Sequence, residues 1–181
     1  MRVTTRATTR STAARWGARC VGVGLATALA VAFAAGPASA APGPQLGAAV
    51  APEEVADNPD CDDFTQFAGA EEFDTDDEPT NGQVLDINGQ GTITLGVTQR
   101  TEEPDGQLLS FDVEGPFAVV GAIVKGGPAN EGGANLYDYT GTPAGQIEAD
   151  VDLHAQLNPP GNAITDISHV AFCVVPDGNN T

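Results

Sequence analysis

The stretch Ile167-Ser168-His169-Val170-Ala171-Phe172-Cys173-Val174-Val175 constrains this chain more than any other, because it carries a cysteine into its last strand. β-Branched and aromatic side chains suit the pleated surface of a sheet, and the run follows turn-rich sequence. Period-two alternation predicts Val170, Phe172 and Val174 on one face, with His169, Ala171 and Cys173 on the other. Of the other cysteines, Cys20 falls in a segment expected to be removed, which leaves Cys61 as the partner of Cys173. A Cys61–Cys173 bridge pins the end of the domain to its start.

Residues 1–40 hold Arg2, Arg6, Arg10, Arg15 and Arg19 and no acidic residue, followed by the apolar run Val21 to Ala35 and by Ala38-Ser39-Ala40. That order predicts a secretory signal peptide cleaved after Ala40. The apolar run falls short of the ~20 residues that span a bilayer. Cys20 precedes that run, whereas a lipidated cysteine follows it. From Ala41 onward two basic residues, Arg100 and Lys125, face all 25 acidic ones, a balance of −23. Such a surface repels phosphate backbones and anionic headgroups, so neither nucleic acid nor, after cleavage, a membrane is expected as a partner. An even pair of cysteines in an oxidising compartment is read as a disulfide.

Residues 41–60, rich in Ala, Pro and Gly, show no sustained apolar period and read as a flexible leader. Between Asp57 and Glu78 lie ten acidic residues and no basic one, which reads as a solvated loop. Asp74-Thr75-Asp76-Asp77-Glu78 resembles a calcium loop but has Pro79 where the sharp turn needs glycine, so no metal is assigned.

Val84, Leu85 and Ile87 lead into Asn88-Gly89, a hairpin signal. Thr92 to Thr98 then alternates, with Ile93, Leu95 and Val97 inward. Leu108 to Val113 predicts a further strand with Leu109, Phe111 and Val113 on one side. Phe117 to Val124 is apolar on both faces and predicts a central strand covered on each side, ending at the Lys125-Gly126-Gly127-Pro128 turn. Gly132 to Tyr139 returns as a strand, with Tyr137 and Tyr139 opposite Leu136. Short strands punctuated by Gly, Pro, Asn and Asp predict an all-β fold, a single jelly-roll or immunoglobulin-like β-sandwich over residues 61–176, closed by one disulfide. Residues 177–181 form a polar tail.

The motifs Ser110-Phe111-Asp112, Ala122-Ile123-Val124-Lys125-Gly126-Gly127, Ala134-Asn135-Leu136-Tyr137, Leu153-His154-Ala155, Leu157-Asn158-Pro159 and Ile167 to Cys173 occur in that order. Together they resemble a secreted, mainly actinobacterial domain family, marked by a Lys-Gly-Gly turn and a terminal Ile-Ser-His-x-x-Phe-Cys strand. The resemblance covers Gln107 to Val175 and implies no established activity. Where relatives carry Trp after the Phe-Asp pair this chain has Val113, and its run from Asn158 to Ile167 lacks their aromatic-Gly step.

A hydrolase needs a nucleophile within reach of a base. Ser168 and His169 are strand neighbours, so their side chains are expected on opposite faces. No G-x-S-x-G elbow is present, and Cys173 is expected to be in a bridge. No catalytic residue and no cofactor is therefore assigned. His154 and His169 fit no metal-ligand spacing and read as structural histidines satisfied by backbone carbonyls. Lys125 reads as an ion-pair partner of the acidic loops or as a ligand contact. The candidate ligand surface is Lys125, Gly126 and Gly127 with Tyr137 and Tyr139, unless both tyrosines pack inside the sandwich. The expected function is a secreted, extracellular, non-catalytic binding or envelope-associated module for a polysaccharide or protein ligand. The alternative is a secreted hydrolase acting on an extracellular polymer. Oligomeric state is not readable from the residues.

Overall fold

Nine strands alternate with short turns in the computed structural model, which describes residues 45–127, 133–159, 161 and 163–178. The expected signal peptide, Pro128 and residues 179–181 lie outside the described residues. The strands are β1 (Glu53–Ala56), β2 (Glu71–Asp74), β3 (Val84–Ile87), β4 (Gly91–Arg100), β5 (Gly106–Glu114), β6 (Phe117–Gly126), β7 (Gly133–Asp138), β8 (Ala149–Leu153) and β9 (Ile167–Pro176). They form a five-stranded sheet, β1-β7-β6-β9-β2, and a four-stranded sheet, β3-β4-β5-β8. All named pairings are antiparallel, which makes the fold an all-β sandwich.

Local sequence explains the β3–β4 hairpin directly. Asn88 and Gly89 take φ values of 53° and 71°. Left-handed backbone at both central positions is what a type I′ turn requires, and its twist matches that of the flanking strands. The Asp86 carboxylate accepts the Gly89 N–H at 2.6 Å, and the Gln90 N–H donates to the Ile87 carbonyl at 2.9 Å.

Between the sheets, Ile87, Ile93, Leu95, Leu109 and Phe111 meet Val119, Val124, Tyr137, Val170, Phe172 and Val174. The Phe111 ring packs edge-on against Phe172 at 5.1 Å and against Tyr139 at 6.3 Å. The other face of the five-stranded sheet is also buried. There Val120, Ile123, Leu136, Ala171 and Cys173 pack under Cys61 and Phe67. These two belong to a cover made of two 3-10 turns, Cys61–Asp63 and Thr65–Phe67. The Cys61–Cys173 disulfide, spanning 112 residues, fastens that cover to β9. β6 is thus covered on both sides, as its unbroken apolar pattern predicts.

Three expectations need correction. The leader assigned to 41–60 is docked in its described part, since Glu53–Ala56 pairs with β7 (Val55 opposite Ala134). Ahead of it Ala48 is buried, and the Ala49 N–H donates to the Asp150 carboxylate at 2.9 Å. What recruits this strand is the unpaired backbone edge of β7, a demand that leaves little mark on an acidic four-residue segment. The acidic stretch 57–78 holds the cover and β2 instead of a solvated loop. Its carboxylates stay largely in solvent while Cys61, Phe67 and Thr75 turn inward. Thr75 locks it to β9, because its Oγ1 accepts the Val170 N–H at 3.0 Å and its N–H donates to the Val170 carbonyl at 2.9 Å. Finally, the tail expected from residue 177 begins later. Asp177 is buried, its N–H donates to the Pro116 carbonyl at 2.9 Å, and its carboxylate accepts from Gln146 at 2.7 Å.

Candidate functional site

Lys125 lies on the covered face of β6, opposite His169 of β9. Its ammonium donates to the Asp60 carboxylate at 3.1 Å, and its side chain is only 6% exposed while that of Asp60 is 62% exposed. A long apolar stem is therefore buried with the charge directed at an anion near the surface. Lys125 serves the cover, which Asp60 immediately precedes, and does not project into solvent as a ligand contact.

The β6–β9 register slips between Lys125 and Gly126, which pair with His169 and Ile167. Ser168 is left over as a β-bulge, and a bulge re-aims side chains that regular alternation would separate. The expectation that Ser168 and His169 diverge is overturned here: Ser168 Oγ lies 3.1 Å from His169 Nδ1. The serine hydroxyl also donates to the Lys125 carbonyl at 3.2 Å. With the imidazole proton on Nδ1, a continuous chain results, in which His169 donates to Ser168 and Ser168 donates to the Lys125 carbonyl. Partial burial, and then the charge of Lys125, lower the His169 pKa, against smaller opposing contributions from Asp74 and Asp60. The ring is accordingly neutral at neutral pH.

Tyr137 and Tyr139 are fully buried, so they leave the candidate ligand surface. Alternation turns both toward the opposing sheet, where their hydroxyls hold β8 and the residues after it. The Tyr137 hydroxyl donates to the His154 carbonyl at 3.2 Å and accepts the His154 N–H at 2.8 Å. The Tyr139 hydroxyl donates to the Asp150 carboxylate at 2.8 Å. Burial raises both phenol pKa values, and the Asp150 charge adds to the effect at Tyr139. His154 is buried beside them, with Nδ1 2.7 Å from the Ala155 carbonyl. Asn135 donates to the His154 carbonyl at 2.9 Å, while its own Oδ1 is buried without a partner among the described residues. No group of three or more His, Cys, Asp or Glu side chains among the described residues is placed to hold a metal ion.

A groove of about 540 Å³ opens beside the Lys-Gly-Gly turn, lined by Glu78, Gly127, Asn158, Ile164, Thr165, Asp166, Ile167 and Ser168. Gly127 is the one member of the expected ligand surface that reaches it. At Gly127 φ is +80°, a conformation open to glycine, and its N–H donates to the Asp166 carbonyl at 3.2 Å. Glu78 Oε1 accepts from Gln107 at 3.0 Å, and Gln107 Oε1 accepts the Ile167 N–H at 2.9 Å, which joins two walls of the groove. Asn158 Oδ1 accepts the Ala163 N–H at 3.0 Å and shapes the end of a third loop. Sequence reasoning missed Glu78, Asn158, Ile164, Thr165 and Asp166 because they sit on loops distant in the chain. The turn-forming clusters at 125–128 and 158–162 were the available signal. No protein family, curated protein or solved structure matches the chain.

Proposed function

We propose that this chain is an exported, extracellular, non-catalytic binding or envelope-associated module whose polysaccharide or protein ligand enters the groove beside Gly127. The groove carries the reading: hydrogen-bonding side chains from two loops far apart in the chain (Glu78 from one; Asn158, Thr165 and Asp166 from the other) and Ser168 of β9 surround the buried Ile164 and Ile167. A few polar groups converging on a concave space are typical of ligand sites. Export is supported by the three-part pattern of residues 1–40, by the disulfide, and by the resemblance to secreted domains. No helix among the described residues is long and apolar enough to cross a membrane.

The test is a binding screen of the chain from Ala41 against cell-wall polymers, chitin, cellulose and host matrix proteins. Asp166 is exposed, so Asp166→Trp should block the groove and abolish the binding found without moving the melting temperature. Absence of binding to every member, or equal binding by the variant, overturns the proposal. Intact mass from culture medium checks export, and a species retaining Arg19 or Cys20 counts against it.

The contact of Ser168 with His169 favours a second reading, a secreted hydrolase acting on an extracellular polymer. With the opposite tautomer Nδ1 would accept the serine proton, and Ser168 already lines the groove. A fluorophosphonate probe should then label the protein and fail on Ser168→Ala. No labelling removes this reading.

A further inference from the structure

We infer that the groove takes a cationic ligand, an extended lysine- or arginine-bearing peptide segment of a partner protein; the inference rests on the binding proposal above. Two carboxylates, Glu78 and Asp166, line the groove, and among the described residues no lysine or arginine does. Asp166 makes no side-chain hydrogen bond or ion pair among the described residues, and Glu78 commits only Oε1, to Gln107. Both basic residues after Ala40 are engaged elsewhere. Lys125 faces Asp60, and Arg100 donates from Nε to the Pro104 carbonyl and lies near Glu102.

The balance of −23 after Ala40 supplies a long-range field that draws cations and repels anions, and a concave site concentrates such a field. Ile164 and Ile167 close the floor of the groove but are only 5% and 1% exposed, so recognition rests on the two carboxylates. A lysine or arginine side chain reaches them from an extended backbone, because its charged head stands at the end of a long flexible stem. A polysaccharide is the poorer fit, because sugar rings present C–H faces that pack on aromatic rings and no aromatic residue among the described residues lines the groove. The only tryptophan, Trp16, falls in the expected signal peptide.

The experiment uses the chain from Ala41, a Lys/Gly peptide, its Glu/Gly counterpart and a neutral chitin oligosaccharide. Affinities are measured for wild type, for Glu78→Gln with Asp166→Asn, and for a control of equal charge change on the opposite sheet, Asp112→Asn with Glu114→Gln. Glu78→Gln keeps the acceptor used by Gln107, so folding should persist, and melting curves check it. The groove pair should lower Lys-peptide affinity about tenfold and the control pair less than about twofold, since two exposed ion pairs carry that much. Equal losses in both variants would show only a diffuse field and overturn the inference. Binding of the oligosaccharide in preference to the Lys peptide overturns it too, yet leaves the binding proposal intact. Failure of all three probes, together with an empty screen, overturns both.

Discussion

The two sheets of the sandwich differ in what lies on their outer faces. In the four-stranded sheet, β4 turns Ile93 and Leu95 inward and leaves Thr94 and Thr98 exposed. In the five-stranded sheet, eight consecutive residues of β6, Ala118 to Lys125, are buried. The difference comes from the cover. Fully burying a side chain such as Ile or Phe is worth about 1.5–3 kcal/mol, so Ile123 and Leu136 need a lid and Thr94 does not. The lid is two short 3-10 turns in a stretch of mostly acidic surface, too little regular structure to stay in place by itself. It is tethered covalently by Cys61–Cys173 and electrostatically by Lys125 and Asp60. The Cys61 N–H also donates to Glu72 of β2 at 2.6 Å. An apolar run without alternation therefore marks a strand with a second covering layer, and here the cysteine on the neighbouring strand β9 marks the tether.

The largest test of this difference is to cut the tether. Cys61→Ser with Cys173→Ser should cost about 4–5 kcal/mol by the chain-entropy model for a loop of this length, read from urea denaturation. Limited proteolysis should then cut first within 57–70. A loss under about 1 kcal/mol would mean that packing alone holds the cover.

Equivalent truncations on the two outer faces come next. Ile123→Ala should destabilise by about 2–5 kcal/mol, because it opens a cavity under the cover. Thr94→Ala should stay within about 0.5 kcal/mol, as surface substitutions do. Similar costs for the two would erase the distinction.

A smaller effect is expected at Gly121, where a Cβ would overlap the Phe67 ring of the cover. Gly121→Ala should cost about 1–3 kcal/mol as an overpacking change. Phe67→Leu in the same chain should recover part of that loss, so a double-mutant cycle should be non-additive. Additivity would place the strain elsewhere.

The smallest effects are in the pH dependence. Tyr137 and Tyr139, between the sheets, have pKa values raised above 10.0, so the native state keeps protons that the unfolded chain releases. Their contribution is complete below that pH and should be lost progressively above it; Tyr137→Phe with Tyr139→Phe should flatten the alkaline fall. On the covered side, the native pKa of His169 is lowered below 6.5, so the unfolded chain binds its proton more readily. Stability should therefore fall as pH drops through 6.5, and His169→Gln should remove that slope. An unchanged slope would separate His169 from the cover.

Much of the scaffold was legible because its signals are local. Asn88-Gly89 sets its own turn, Thr92 to Thr98 shows its alternation, and β6 shows that it has none. Parity along β9 placed Val170, Phe172 and Val174 inward and Cys173 outward. The groove was not legible, because Glu78 lies on the β2–β3 loop and Asn158 and Asp166 on the β8–β9 connection, about 80 residues away in the chain, and only the tertiary structure brings them together. Neither was the contact of Ser168 with His169, because alternation presumes regular pairing and the bulge arises from the register with β6.

What the residues determined by themselves is six of the nine strands, β3 to β7 and β9, the phase of each, and the pairing of the two cysteines left after Ala40. Those are properties of neighbours and of counting. Which layer each phase faces was decided only in the tertiary structure. Tyr137 and Tyr139 could equally have faced solvent, and Glu53–Ala56 could have stayed loose. Backbone edges must find partners and apolar faces must be covered, and both demands are met by residues far away in the chain.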